Sequence, residues 1–102
     1  MYARVGRGRF RPEQSEAVIQ IAQDSLATYR RASGFRGVTY LYDRGSGWGV
    51  AMSLWDTAAD AAAVVEALRP TLEQFAAHYA EGAQTAPDVV GPLPIFEVIA
   101  QA

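Results

Sequence analysis

The sequence predicts an α+β domain with the element order strand, helix, strand, strand, helix, strand. Two segments carry apolar residues at helical spacing, one in each half of the chain. Between them lie two adjacent runs rich in β-branched and aromatic residues, and a short β-forming run stands at each end. Helices therefore separate a central hairpin from both terminal strands, which is the split ferredoxin-like pattern βαββαβ. Right-handed crossovers place the first and third strands side by side in the middle of a four-stranded antiparallel sheet, with both helices on one face.

The first strand is residues 2–10, YARVGRGRF. Pro12 suits the first turn of a helix and Glu13 the positive end of its dipole. Val18, Ile21, Ala22, Leu26 and Tyr29 then recur on one stripe, and Arg30-Arg31 followed by Gly34 supplies cations and a left-handed cap, giving a first helix over 12–32. Residues 35–42 and 48–55 form the hairpin around the turn cluster Asp43-Arg44-Gly45-Ser46-Gly47. Thr57 with Asp60 three residues on marks the start of the second helix. Its stripe is Val64, Val65, Leu68, Leu72, Phe75 and Tyr79, and Pro70 inside it predicts a kink or two shorter helices. Residues 82–94 read as a proline-stiffened loop, and residues 95–100, IFEVIA, as the last strand.

Alternation along the strands leaves neither sheet face polar. The third strand carries Trp48, Val50, Met52 and Leu54 on one side and Gly49, Ala51, Ser53 and Trp55 on the other. The second carries Val38, Tyr40 and Tyr42 against Phe35, Thr39 and Leu41; the last, Ile95 and Ile99 against Phe96 and Val98. Two helices cover one face only, so a contiguous apolar patch is left over. A second copy is the expected cover, since a two-fold axis pairs a patch with itself. Sheet against sheet gives a dimeric α+β barrel.

The 102 residues suit one domain, taken as 1–102. A net charge of −2 and a pI of about 5.2 give no field for a polyanion. No cysteine is present, and one histidine is too few for a transition-metal site. No apolar run reaches membrane-spanning length and the N-terminus lacks a signal-like segment, so the expectation is a cytoplasmic protein with no membrane or nucleic-acid partner. Abundant alanine and arginine as the only strongly basic residue suit a GC-rich bacterial genome. The spacing Gly45-x-Gly47-x-Gly49 is not followed by a helix, which removes a phosphate loop. An RNA-binding sheet would stack bases on two positions of the third strand; Trp48 fits one, but Val50 occupies the other.

Gly34-Phe35-Arg36-Gly37 opening the second strand, and Ser53-Leu54-Trp55-Asp56-Thr57 with Ala61 entering the second helix, resemble the antibiotic-biosynthesis monooxygenase family. The resemblance spans nearly the whole chain in element order. It implies a dimeric α+β barrel with a small cavity between each sheet and its helices. Some members oxidise polycyclic phenols without a cofactor, and others degrade haem. In the phenol-oxidising members the strand-end tryptophan helps define the pocket, and Trp55 matches it. Those members also use an asparagine four residues earlier and a tyrosine early in the second helix, where this chain has Ala51 and Ala61. The haem-degrading set of asparagine, tryptophan and histidine finds no asparagine here, Val64 near the tryptophan position, and His78 too far along.

Read from the residues themselves, Trp55 caps a pocket and stacks on an aromatic ligand, or packs where strand meets helix. Small Ala51 and Ser53 on the same face leave room, and Phe75 and Tyr79 complete the binding set. Tyr40 and Tyr42 offer hydroxyls to a ligand, to the core or to an interface. His78 is the one side chain with an ordinary pKa near neutrality, and with Trp55 it forms the catalytic candidate pair; the alternative is a structural histidine. Arg4, Arg7, Arg9 and Arg11 read as solvated edge charges, with Arg4 facing opposite to Arg7 and Arg9; the alternative is that one of them contacts an anionic ligand. The expected function is a cofactor-independent monooxygenase acting on a small aromatic or polyphenolic substrate, with no metal and no cofactor. The alternative is a non-catalytic dimer of the same fold that binds a small apolar molecule or serves as an interaction module.

Overall fold

The computed structural model describes residues 1–80, the backbone of residues 88–89, and residues 95–102. Strand β1 (Tyr2–Arg9) leads through a 3-10 turn (Pro12–Gln14) into helix α1 (Ser15–Arg30). The hairpin β2 (Phe35–Tyr42) and β3 (Trp48–Trp55) follows, then helix α2 (Ala58–Ala76), and finally the short strands β4 (Asp88–Val89) and β5 (Ile95–Glu97). The sheet is antiparallel with the order β2-β3-β1, and the other edge of β1 is shared. There β5 pairs with Tyr2 to Arg4 and β4 with Gly6 and Arg7. The first and third strands do sit side by side, running from Tyr2 opposite Trp55 to Arg9 opposite Trp48.

The helix boundaries follow the capping chemistry. Gly34 takes φ +75°, and its carbonyl accepts from the Asp56 N–H at 2.9 Å, which ties the end of α1 to the start of α2. A Cβ on Gly34 would collide with the Asp60 carboxylate. Thr57 has extended backbone at the α2 N-cap. Its hydroxyl accepts from the Asp60 N–H at 3.0 Å and donates to the Asp60 carboxylate at 2.9 Å. At the hairpin, Gly47 adopts φ +82° where a side chain would strike the Phe10 carbonyl, and its own carbonyl accepts from the Phe10 N–H at 2.8 Å.

Both helices lie on one face of the sheet. Their contact residues are Tyr29 from α1 and Ala61, Val64 and Leu68 from α2. With Trp55 these form the buried core, against which Phe35, Val38, Tyr40, Leu72 and Ile95 pack. The opposite face carries no helix. There Leu41 is 60% exposed, Met52 42% and Phe96 40%, with Trp48 beside them and the Arg7 guanidinium 5.8 Å from its ring centre. The leftover apolar patch is therefore present on the protomer.

The sequence reading needs four corrections. Helix α2 runs unbroken through Pro70 and does not divide. The proline costs one backbone donor, but buried Leu68 on one side and Leu72 on the other hold both turns to the same core. Phe35 does not share a face with Thr39 and Leu41. A register shift between Phe35 and Gly37 turns it to the helix side, edge-to-face with Trp55 at 5.6 Å. Asp88–Val89, read as loop, is a strand, and the terminal strand stops at Glu97. The first helix begins as a 3-10 turn and becomes α-helical only at Ser15. The remainder of the expected loop, 82–87 and 90–94, lies outside the described residues.

Candidate functional site

Residues directly opposite in an antiparallel pair share a face. The helix-side face of the sheet thus carries Arg4, Gly6 and Gly8 of β1, Gly49, Ala51 and Ser53 of β3, and Val38, Tyr40 and Tyr42 of β2. Four of these nine side chains are glycine or alanine. A Cβ added at Gly6 would meet nothing within 4 Å. The helices span this shallow floor without filling it, and a cavity of about 510 Å³ remains between floor and helices. That is within the range of small-molecule sites, about 300–1,000 Å³.

Aromatic rings wall one end of the cavity. Phe10 stands 5.6 Å from Phe75, 5.2 Å from Tyr79 and 6.4 Å from Tyr42, centre to centre. Phe75 in turn lies 6.1 Å from Tyr40. Tyr29 closes the far side, where α1 crosses the sheet. Val18, Leu26, Leu68 and Leu72 supply aliphatic surface from the helices.

The polar groups on the wall are few, and most are tied. Tyr42 and Ser15 share a hydrogen bond between hydroxyls at 2.9 Å, as do Tyr40 and Ser25. Each pins a β2 tyrosine to α1. The Ser53 hydroxyl accepts from the Trp55 indole N–H at 2.8 Å. Burial, reinforced by the neighbouring Tyr40, pushes the Tyr29 phenol far above its ordinary pKa. Burial also raises Tyr79. Both phenols are therefore neutral hydrogen-bonding groups at neutral pH. Arg4 sits half-buried on the same wall, between Ser53 and Ile95 in the sheet register. Among the described residues the cavity wall holds no carboxylate and no imidazole; its charged group is Arg4, since Arg7 lines the cavity but turns its guanidinium to Trp48 on the other face.

The structure brings Ala51, Ser53, Phe75 and Tyr79 to the wall of one cavity. Trp55 stands one layer behind it, 0% exposed, between Tyr29 at 6.2 Å and Phe35, and reaches the cavity through its bond to Ser53. His78 lies off the wall. Its Nδ1 is 2.6 Å from the Gln14 side-chain oxygen, and its carbonyl accepts from the Arg11 N–H at 3.0 Å, so it clamps the end of α2 to the start of α1. Tyr40 and Tyr42 face the cavity and not the helix-free side. Sequence reasoning missed Phe10 and Tyr29, and offers Arg4 only through the alternative that one of four N-terminal arginines meets an anionic ligand. An edge charge would be solvated, yet β1 is paired on both edges and Arg4 points under the helices. Its parity, shared with Gly6 and Gly8 and opposite to Arg7 and Arg9, was the available signal. Among the described residues no cluster of three or more His, Cys, Asp or Glu could hold a metal, and no helix is long and apolar enough to cross a membrane.

By sequence, no family model and no curated protein matches the chain. Solved structures do. Rv0793 from Mycobacterium tuberculosis superposes with a TM-score of 0.74 at 12% identity, covering 99% of this chain and 97% of that one. SnoaB from Streptomyces nogalater, a cofactor-independent oxygenase, gives 0.73 at 15% identity over 98% and 94%. A structure described as an antibiotic biosynthesis monooxygenase gives 0.69 at 15% identity, over 90% of this chain and all of that one.

The chain has the antibiotic biosynthesis monooxygenase fold.

In the antibiotic biosynthesis monooxygenase fold as this sequence builds it, the helix-side floor is bare and the aromatic wall comes from the end of β1, from β2 and from the end of α2. These identities are low enough that the likeness extends to architecture, and chemistry has to be argued from the cavity itself.

Proposed function

We propose that the chain is a cofactor-independent monooxygenase whose cavity takes up a small aromatic or polyphenolic molecule. The observation that carries this reading is the 510 Å³ cavity, walled by Phe10, Phe75 and tyrosine rings and floored by glycine and alanine. Flat rings stack favourably on such walls, and an apolar enclosure excludes water from a reactive carbanion. For an activated ring methylene the balanced step is CH2 + O2 → C=O + H2O. The substrate loses a proton, the carbanion passes an electron to dioxygen, and the radical pair joins as a peroxide that expels water. The chain's part is to hold the ring, fix its orientation and order the surrounding hydroxyls. Trp55 supports that wall from behind by fixing Ser53 and Tyr29.

We read the helix-free face as the contact between two copies. Leu41, Trp48, Met52 and Phe96 are too large and too exposed in one protomer for a face meant to stay wet. The absence of a carboxylate or imidazole among the described wall residues favours a second reading, a dimer that binds such molecules without turning them over.

Oxygen uptake decides between the two. Anthrone and related hydroxylated polycycles are incubated with the protein in an oxygen electrode, with Ala51→Phe as the filled-cavity control. Uptake that the control abolishes supports the oxygenase. Tight binding of the same compounds without uptake leaves the binder, and no binding by the panel refutes both.

A further inference from the structure

We infer that Arg4 is the anchor for an anionic oxygen on the ligand, so that the cavity selects aromatic anions, such as ring carboxylates or phenolates, over neutral rings of the same shape. This deepens the proposed function and rests on the cavity being an aromatic site.

Arg4 lies on the central strand, with Ser53 beside it on one neighbour and Ile95 on the other. Neither offers a negative charge. Among the described residues the ion pairs are Arg36 with Asp56, Arg44 with Glu16, and Arg69 with Glu66. Arg4 makes none, and no hydrogen bond from its guanidinium is found among these residues. All three paired arginines are exposed, whereas Arg4 is half-buried at the cavity wall.

A guanidinium removed from water without a counter-charge is costly. Burial lowers the pKa of Arg4, the sign of an unmet charge, yet arginine stays protonated at neutral pH. The ionisable group that acts on Arg4 is Tyr29, whose phenol is held neutral and so supplies no counter-charge. With no acid on the described wall, the cavity is a positive pocket lined by aromatic rings. An aromatic anion satisfies both features, its ring against Phe75 and Tyr79 and its oxygens on a planar donor fork. The same contact lowers the pKa of an ionising substrate, which compensates for the missing base on the wall.

The test needs no guess at the natural ligand. Binding of 2-naphthoate and of neutral, isosteric 2-naphthamide is measured by calorimetry at pH 7. The native protein is expected to prefer naphthoate by about tenfold or more, the scale of a charge-assisted hydrogen bond. Arg4→Gln is expected to erase that preference and leave naphthamide affinity within about twofold, while Arg4→Lys keeps part of it. Equal affinity of the native protein for both probes overturns the anchoring role and leaves the aromatic cavity standing. A preference that survives in Arg4→Gln does the same. Failure of both probes to bind removes the aromatic site and the anchor together. The comparison on the native protein stands even if a variant does not fold.

Discussion

Replacing Trp55 by phenylalanine separates a packing role from a ligand-contact role. The indole is fully enclosed by Tyr29, Phe35, Ala61, Val64 and Leu68, and its N–H is satisfied by Ser53. Phenylalanine keeps the six-membered ring, loses the pyrrole portion and removes the donor to Ser53. The lost hydrogen bond is worth about 1 kcal/mol, and the vacated volume adds about 1–2 kcal/mol. A total of roughly 2–3 kcal/mol is a large share of the ~5–15 kcal/mol that holds a domain folded. At about 4–8 °C per kcal/mol for a domain of this size, the melting temperature falls by roughly 10–20 °C. Urea unfolding followed by far-ultraviolet circular dichroism gives the stability. Calorimetry with 2-naphthoate at 10 °C gives the affinity of the protein that remains folded. The expected pair of results is a clear loss of stability with affinity unchanged within a few-fold. Unchanged stability together with a tenfold or greater loss of affinity would show that the indole touches the ligand and that the reasoning is wrong.

Three further outcomes are expected. Because burial holds the Tyr29 phenol above its ordinary pKa of about 10, its contribution is complete below that pH and drains away as pH rises past it; stability measured from pH 8 to 12 should fall above 10, and Tyr29→Phe should fall less steeply. Gly34→Ala forces φ +75° on a residue with a Cβ and drives that atom into Asp60, so it should cost at least about 1–2 kcal/mol in chemical denaturation. Leu41→Glu with Met52→Glu places two charges on the helix-free face; sedimentation velocity is expected to show the parent as a dimer and the double variant as a folded monomer.

The parts of this fold that rest on local chemistry were readable from residue order. The hairpin follows from two β-rich runs around Asp43 to Gly47, and the helix boundaries from Gly34 and from Thr57 with Asp60, because each of these signals acts within a few residues. Three features depended on contacts distant in sequence. Phe35 changes face through a register shift that no alternation rule detects. Pro70 stays inside a continuous helix because the core on either side of it outweighs one lost donor. A two-residue strand such as Asp88–Val89 is too short to show a period. The site was legible to the same extent. Ala51, Ser53, Phe75 and Tyr79 were recognisable as small or aromatic residues facing the interior, whereas the inward turn of Arg4 was visible only as parity along β1. Three further arginines within seven residues, Arg7, Arg9 and Arg11, made the segment read as a solvated basic stretch.

The vacant space above the sheet has an evolutionary consequence. It exists because carbon atoms are missing at positions 6, 8, 49 and 51, and the strand ladder beneath is held by backbone groups that are indifferent to those atoms. A methyl introduced at Gly6 meets open room, while one at Gly8 already presses on the Tyr79 ring at 3.2 Å. The volume of this space can therefore be trimmed by a single codon change at position 6 with the scaffold untouched, whereas the same change at position 8 requires the Tyr79 ring to give way.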